Sequence, residues 1–250
     1  MTKDSTTRFS NRVADYVKYR PGYPATIVTW LQENHHLSAG ETIADIGSGT
    51  GISSRLFLQA GYTVWGIEPN AAMREMSVQL LSNYPYFRAK DGTAEATGLP
   101  DSSVGAIVCG QAFHWFDAVK AKQEFKRILK ASGTVVLIWN ERLTGSAFEK
   151  AYDQLIIQHG KDYVQVDHRN INPDKIASFF QPQPCTLKIF DNRQVFDFDG
   201  LKGRLLSSSY MPAANEDGYE DMIDDLKKLF DQHEQNGKIT INYATKVYAS

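Results

Sequence analysis

The chain has 250 residues, of which 42% are hydrophobic and 12% aromatic, so it can bury enough apolar surface to offset its ordering entropy. This excludes a disordered chain or a disulfide-stapled peptide, and the length suits one large domain or a core with an added lobe. The 27 Lys and Arg residues against 29 Asp and Glu residues give a net charge of −2. Nucleic acid is therefore a poor candidate partner, because no excess positive charge is present to hold a phosphate backbone.

The N-terminal residues do not resemble a targeting segment, since residues 1–12 are polar and lack the apolar run of a signal peptide. The longest apolar run, Val135 to Trp139, is far shorter than the roughly 20 residues of a membrane-spanning helix. Cys109 and Cys185 lie far apart in sequence, which is typical of free thiols in a reducing compartment. These features predict a soluble cytoplasmic protein without a membrane partner.

Short apolar runs alternate with longer amphipathic segments, and this alternation is typical of an α/β fold. The pattern predicts helices over 11–19 and 24–34, strand 42–46, helix 52–60, strand 63–67, a helix after Asn70, a short strand near Phe87, strand 104–109, a helix to about 130 and strand 134–139. These five strands are expected to be mostly parallel.

After Asn140 the alternation becomes less regular. The pattern predicts helix 147–159, then a stretch punctuated by prolines over 172–184. It also predicts strands 187–196 and 238–248 and, between them, helices 199–206 and 216–234. The helices outside the alternation are expected to form a lobe over the carboxyl end of the parallel strands, where ligands bind in α/β sheets.

A glycine-rich segment, Ala44-Asp45-Ile46-Gly47-Ser48-Gly49-Thr50-Gly51, follows a predicted strand and opens a helix. It lacks the Gly-Lys-Ser/Thr sequence of a P-loop, and Ile52 stands where a dinucleotide fingerprint has Gly or Ala. The alternative interpretation of this glycine-rich segment is a plain strand-to-helix turn that binds no ligand. Asp45 lies immediately before the loop, where a carboxylate would repel a pyrophosphate and favour a cationic ligand.

Glu68 ends the strand that follows the glycine loop. A carboxylate there can accept hydrogen bonds from both ribose hydroxyls of an adenosine ligand. Either acid alone is more often a surface residue, but their placement at the ends of consecutive strands favours a binding role. Together they predict a site for a positively charged adenosine ligand.

These residues resemble the class I S-adenosylmethionine-dependent methyltransferases. The resemblance spans about 41–140 and rests on Asp45 to Gly51, on Glu68-Pro69-Asn70 followed by Met73, and on Gly92-Thr93-Ala94-Glu95 with Leu99-Pro100. It implies a Rossmann-like seven-stranded sheet with an antiparallel last strand, helices on both faces, and S-adenosyl-L-methionine as the cofactor, released as S-adenosyl-L-homocysteine. The cofactor's amino acid end is expected at the glycine loop, its ribose at Glu68, and its adenine between Met73 and Thr93 to Ala94, with Glu95 behind.

Two further motifs resemble the trans-aconitate methyltransferase-like group, namely Tyr19-Arg20-Pro21-Gly22-Tyr23-Pro24 and Gln111-Ala112-Phe113-His114-Trp115-Phe116. This resemblance implies that the first helix covers the cofactor and that His114 and Trp115 face the transferred methyl group. The cofactor-binding residues implied are Tyr16, Arg20, Asp45, Gly47, Ser48, Gly49, Gly51, Glu68, Pro69, Met73, Thr93, Ala94, Glu95 and Gln111. The implied organisation is a helical lid over 1–40, a cofactor-binding core over 41–140, and a substrate lobe over 141–250, with a helical insertion over 197–236.

Methyl transfer from a sulfonium requires orientation of the partners and exclusion of water. The aromatic rings of Tyr16, Phe113 and Trp115 are candidates to hold the sulfonium by cation–π attraction, with core packing as the alternative. His114 is the candidate base for a phenol or amine acceptor, and a hydrogen-bond donor to a carboxylate, which is already ionised.

A carboxylate acceptor also needs a cation, for which Arg20, Arg193 and Arg204 are candidates and an ordinary surface role is the alternative. The histidines and cysteines show no metal-ligand spacing, so no metal site is predicted.

The sequence thus predicts a methyltransferase acting on a small molecule, by O-methylation of a carboxylate or hydroxyl. Three alternatives stay open: C-methylation of a quinone-type ring, a non-catalytic protein that binds an adenosyl ligand, and an NAD-dependent oxidoreductase, which Asp45 and Ile52 disfavour. Monomer and homodimer are both compatible with the sequence.

Overall fold

The computed structural model describes residues 17–161 and 173–250. The helices are α1 (Thr26–Asn34), α2 (Ile52–Gln59), α3 (Ala71–Leu80), α4 (Ala118–Ile128), α5 (Ala147–His159), α6 (Pro173–Phe180), α7 (Phe198–Leu206) and α8 (Tyr219–His233). The strands are β1 (Thr42–Ile46), β2 (Thr63–Ile67), β3 (Phe87–Lys90), β4 (Val104–Gly110), β5 (Leu129–Arg142), β6 (Thr186–Phe196) and β7 (Ile239–Ala249). Most of the predicted helix over 11–19 lies outside the described residues.

The seven strands form one sheet in the order β3-β2-β1-β4-β5-β7-β6. Strands β1 to β5 pair in parallel, whereas β7 is antiparallel to both of its neighbours, β5 and β6. The predicted Rossmann-like α/β sheet with an antiparallel last strand is therefore confirmed. Because β1, β2 and β4 run in the same direction, the loops that follow them leave the same edge of the sheet.

Alternate side chains of the central strands enter two separate cores, one on each face of the sheet. On one face, Ile43 and Val108 pack with the apolar residues of α1 and α2. On the other face, Ala44 and Ile107 pack with those of α4 and α6. Helices thus cover both faces, which leaves the carboxyl edge of the parallel strands as the place where loops meet.

Helix α6 lies within the Pro-punctuated stretch over 172–184, to which the sequence pattern assigned no helix or strand. Pro173 is its first residue, where the missing N–H costs no helical hydrogen bond. Ile176, Phe179 and Phe180 follow at helical spacing and are buried in the same core as α4. The prolines therefore delimit a short helix, and this helix packs on the sheet.

Strand β5 is longer than the predicted 134–139 and extends to Arg142. Its last residues pair with the antiparallel β7, with Arg142 opposite Tyr243. Strand β4 ends opposite Ile138, so β5 and β7 project beyond the carboxyl edge of the parallel strands. Helices α5, α7 and α8 pack against the start of β7 there and form a third core, which we call the lobe.

Among the described residues, no helix is long and apolar enough to cross a membrane.

Candidate active site

The glycine loop turns through left-handed backbone angles at each of its three glycines, with φ of +68° at Gly47, +54° at Gly49 and +85° at Gly51. A Cβ on Gly47 would lie 2.7 Å from the Cβ of Ala112, and one on Gly51 would lie 2.5 Å from Leu81 Cδ1. A Cβ on Gly49 would have no neighbour within 4 Å. Gly47 and Gly51 thus allow close packing of the loop, while Gly49 presents bare backbone to open space.

Asp45 is fully buried at the end of β1. Its Oδ2 accepts hydrogen bonds from Ser53 Oγ at 2.7 Å and Ser54 Oγ at 2.6 Å, while Oδ1 has no partner in the described part of the chain. Burial raises the pKa of Asp45 from 3.8 to about 6, with a smaller contribution from the Glu68 carboxylate. A buried carboxylate with one unpaired oxygen fits a cationic group that donates a hydrogen bond.

Glu68 leaves the end of β2 and connects two loops. Its Oε2 accepts a hydrogen bond from Gly49 N at 2.9 Å, and its Oε1 accepts one from Asn70 N at 2.8 Å. Burial raises the pKa of Glu68, and these two bonds partly oppose that rise. Because each carboxylate oxygen has a second lone pair, Glu68 can still accept hydrogen bonds from a diol.

Three more polar atoms at this edge are buried and have no hydrogen-bond partner among the described residues: Ser48 Oγ, Thr50 Oγ1 and Gln111 Oε1. Gln111 follows β4 with a φ of +55°, a costly conformation for a side chain with a Cβ. Its N–H donates to Ile138 O at 2.9 Å, which holds this conformation. Buried polar groups are normally paired, so this cluster is suited to a polar ligand.

The residues predicted around the adenine lie on the loops after β2 and β3. Asn70 caps α3 by accepting a hydrogen bond from the N–H of Met73, whose side chain is buried. Thr93 and Ala96 exchange backbone hydrogen bonds in a tight turn, and Ala94 between them is buried.

Arg74, which the sequence analysis missed, contacts both the loop after β2 and the loop after β3. Its Nη1 donates to the carbonyl oxygen of Glu68 at 2.7 Å and pairs with Asp91 Oδ1 at 3.2 Å. Glu95 has a different contact, because its Oε1 accepts a hydrogen bond from Asp117 N at 2.9 Å, near the start of α4.

The segment after Gln111 forms a short 3-10 turn over Phe113–Trp115. The ring of Phe113 is buried, with its centroid 4.6 Å from Phe179 and 6.3 Å from Trp139. Phe113 therefore packs in the core, in agreement with the alternative interpretation. The rings of His114 and Trp115 lie 4.8 Å apart, with His114 exposed and Trp115 partly buried.

Although the His114 side chain is accessible to solvent, the surrounding protein disfavours its charged form. This effect and the nearby positive charge of Lys175 lower the pKa of His114 from 6.5 to about 4. His114 is therefore a neutral imidazole at physiological pH, able to donate one hydrogen bond and accept another.

Comparisons with known proteins agree with this arrangement. Residues 44–137 match the family model of the methyltransferase domain. An uncharacterised methyltransferase of Schizosaccharomyces pombe is 24% identical over 243 residues, which cover 97% of this chain and 96% of that protein. The chain thus carries a methyltransferase domain over residues 44–137, and its relatives and fold support an S-adenosylmethionine-dependent methyltransferase.

Two other matches to this methyltransferase differ in extent. An uncharacterised methyltransferase of Mycobacterium tuberculosis is 34% identical over 140 residues, so the match spans about half of each protein, 56% of this chain and 55% of the other. The solved structure of a proposed type II methyltransferase from Anaeromyxobacter dehalogenans has a TM-score of 0.68 at 20% identity and covers 93% of this chain and 97% of its own. The structural likeness concerns the fold. The finer resemblance to the trans-aconitate methyltransferase-like group stays a prediction.

In the methyltransferase, the Tyr19 to Pro24 motif lies across the carboxyl edge of the sheet. Asn140 Nδ2 donates to Gly22 O at 3.1 Å, and Asn192 Nδ2 donates to the same oxygen at 2.9 Å. A Cβ on Gly110, at the end of β4, would lie 2.8 Å from the Tyr23 hydroxyl. The motif is thus held over the end of β4.

Arg20 reaches from this motif to the lobe, since its Nη2 donates to Ser207 O at 3.1 Å. It also lines a cleft of about 150 Å³ together with Tyr23 and Thr50 of the glycine loop. Arg20 therefore lies near the loop, as the resemblance implied. Tyr16, the other residue predicted from this region, lies outside the described residues.

Ser53, Ser54 and Asn140 were also missed by the sequence analysis. The two serines lie on the first turn of α2, where their spacing from Asp45 was a usable signal, because a helix entering after a short loop turns its first residues toward the preceding strand. Asn140 offered no such signal, since its partner Gly22 is more than a hundred positions away along the chain.

Proposed function

We propose that this methyltransferase transfers the methyl group of S-adenosylmethionine to an oxygen of a small molecule, a carboxylate or a hydroxyl. When bound, the cofactor supplies an electrophilic methyl group on a sulfonium, and the acceptor oxygen forms the new C–O bond as the C–S bond breaks and its electron pair stays on sulfur. An ionised carboxylate loses no proton in this reaction, whereas a hydroxyl must give one up.

The buried carboxylate of Asp45 is the observation that carries the cofactor assignment. Its Oδ1 has no partner in the described part of the chain, and burial holds its pKa near 6. A cationic ligand offsets this cost, whereas a pyrophosphate would add to it. The residues proposed to bind the cofactor are Tyr16, Arg20, Asp45, Gly47, Ser48, Gly49, Gly51, Glu68, Pro69, Met73, Thr93, Ala94, Glu95 and Gln111.

His114 and Trp115 are proposed to contact the acceptor. With a pKa of about 4, His114 is a weak proton acceptor at neutral pH, because efficient general bases have a pKa near the working pH. Its neutral ring suits the donation of a hydrogen bond to an oxygen that is already ionised.

We propose a separate role in binding for each of three regions of the chain. The core over 41–140 holds the cofactor, the lid over 1–40 covers it, and the lobe region over 141–250 binds the acceptor. The contacts of Asn140 with Gly22 and of Arg20 with Ser207 support this division, because they join all three regions around one edge of the sheet.

Thermal unfolding of the purified protein with S-adenosylmethionine, S-adenosylhomocysteine or NAD tests the cofactor. At about 100 times its dissociation constant a ligand adds about 2.7 kcal/mol to the free energy of unfolding, which raises the midpoint by roughly 5 to 10 °C for a chain of this size. We expect this increase with both adenosyl ligands and none with NAD. An increase with NAD alone would contradict the proposal.

A further inference from the structure

Arg204 of α7 is a buried cation without an acidic partner among the described residues. Its side chain is 5% exposed, and its guanidinium makes three long hydrogen bonds to hydroxyls: Nε to Tyr243 Oη at 3.3 Å, and Nη1 to Ser207 Oγ at 3.3 Å and Ser208 Oγ at 3.4 Å. Nη2 makes none within residues 17–161 and 173–250. Neutral hydroxyls leave the positive charge of the guanidinium uncompensated.

The groups that interact with Arg204 in the described part of the chain are neutral and do not balance its positive charge. Tyr152, Tyr210 and Tyr243 are close enough to interact electrostatically with it, but phenols are neutral at physiological pH, and burial raises the pKa of Tyr152 to about 12.

Arg142 is also buried in this region, but unlike Arg204 it is paired with a carboxylate. It is 4% exposed and pairs with Asp153 at 2.5 Å. Burial of an unpaired charge is costly in free energy. Of the two buried arginines in the described part of this region, Arg142 is therefore paired with a carboxylate, whereas Arg204 is available to an anion.

Arg204 is connected to the proposed active site through the Tyr19 to Pro24 motif, which we call the lid motif. Tyr243 Oη donates to Gln194 Oε1 at 2.9 Å, and Gln194 Nε2 donates to Tyr19 O at 3.1 Å. Gly203, next to Arg204, packs directly against the Tyr19 ring and leaves no room for a Cβ. Arg204 is thus linked to the lid motif by a chain of hydrogen bonds through Tyr243 and Gln194.

We propose that Arg204, with the hydroxyls of Tyr152 and Ser208, forms a subsite that binds a carboxylate of the methyl acceptor. One guanidinium balances one negative charge, and its planar fork matches the two oxygens of a carboxylate. The acceptor is therefore a small organic acid. This inference rests on the proposed methyltransferase function and specifies its substrate class.

The test uses the protein saturated with S-adenosylhomocysteine and measures the further change in unfolding midpoint on adding acetate, succinate or benzoate. The matched neutral probes are acetamide, succinamide and benzamide. In the wild-type protein we expect at least one acid to raise the midpoint and its amide not to. R204M should weaken the binding of that acid by about tenfold to a hundredfold, the usual effect of losing a charged hydrogen bond. R88M, at an exposed arginine of β3, should leave the binding of that acid unchanged.

Stability in the absence of any acid separates a ligand-binding role from a structural one. Since Met is apolar and of similar length, R204M is expected to unfold at the same or a higher temperature than the wild type, because it removes an uncompensated buried charge. A structural role predicts a lower midpoint. Y152F keeps the charge of Arg204 and removes one hydroxyl, so it should lower the affinity for the acid several-fold. This variant keeps the test decisive even if R204M does not fold.

The outcomes also distinguish the two proposals. If S-adenosylhomocysteine itself fails to stabilise the wild-type protein, the proposed function fails. Suppose instead that S-adenosylhomocysteine does stabilise the protein. The carboxylate subsite is then wrong, and the methyltransferase function stands, if no acid raises the unfolding midpoint or if acids raise it equally in R204M. The same holds if only a phosphate monoester such as methyl phosphate raises the midpoint.

Discussion

Among the individual side chains, Asp45 couples the stability of the protein to pH most directly. Asp45 ionises near 3.8 in an unfolded chain and near 6 in the folded protein. Between these pH values the folded state retains a proton that the unfolded state has lost, so stability falls as pH rises, by about 3 kcal/mol in all. This cost is fully present above pH 6 and is absent below the unfolded pKa.

D45N tests this coupling. Asparagine keeps an oxygen that accepts from Ser53 and Ser54 but does not ionise, so the variant should be more stable than the wild type by about 3 kcal/mol at pH 8 and equally stable below pH 4. It should also bind S-adenosylhomocysteine more weakly, because the negative charge is lost. Unfolding midpoints measured from pH 4 to pH 8 check the first expectation, and calorimetric titration checks the second.

The matched control is D231N, which removes an exposed carboxylate of α8 that pairs with Lys227 at 2.5 Å. Exposed ion pairs contribute little to stability, so the unfolding midpoint of this variant should depend on pH as that of the wild type does. Identical profiles for D45N and the wild type would show that burial does not penalise the Asp45 charge.

The glycine loop allows the packing role of a glycine to be separated from a ligand-binding role. G49A places a methyl group in open space at a left-handed backbone angle, so it should cost about 1 kcal/mol of stability and lower the affinity for S-adenosylhomocysteine by at least about tenfold, a change of roughly 1.4 kcal/mol. G51A meets Leu81 at 2.5 Å and should cost more, about 2 to 4 kcal/mol. Thermal unfolding and calorimetry on both variants provide the measurements.

G61A is the control for backbone strain alone. Gly61 has a φ of +86° and no atom within 4 Å of its missing Cβ, as at Gly49, but it follows α2 on the far side from the loop. Its stability loss should equal that of G49A, and its affinity should equal that of the wild type. If G49A binds as tightly as G61A does, then the ligand does not approach the loop at Gly49.

The helices and strands that the sequence predicted best are those whose pattern is local. Strands β1 and β2 have the predicted bounds because they are short apolar runs between a turn and a helix. Asp45 and Glu68 fall at neighbouring strand ends for the same reason, since parallel strands place their carboxyl ends at one edge.

Features that depend on distant partners were not predictable in this way. The length of β5 is determined by its pairing with β7, about a hundred positions further along the chain. Helix α6 is stabilised by burial of Phe179 against Phe113 and Phe125, which outweighs the turn signal of its flanking prolines. The bonds between Asn140 and the lid motif likewise exist only once the sheet has formed.

Asn140 joins parts of the protein that are far apart in sequence. It is 2% exposed. Its Nδ2 donates to Gly22 O at 3.1 Å, and its Oδ1 accepts from Thr245 Oγ1 at 2.5 Å and Asn192 Nδ2 at 3.1 Å. One side chain at the end of β5 thereby links the lid motif to β6 and β7.

N140A should therefore act on both stability and binding. It leaves the buried hydroxyl of Thr245 without its acceptor and removes one donor to Gly22 O, which should cost about 2 to 4 kcal/mol and lower the unfolding midpoint by roughly 5 to 15 °C. Because the lid motif loses an anchor, S-adenosylhomocysteine should also bind more weakly. N34A, which removes an exposed amide bonded to Trp30 O, is the control and should change neither quantity. If N140A loses stability but keeps full affinity, then Asn140 supports the sheet without positioning the lid motif, and the cofactor is held by the core alone.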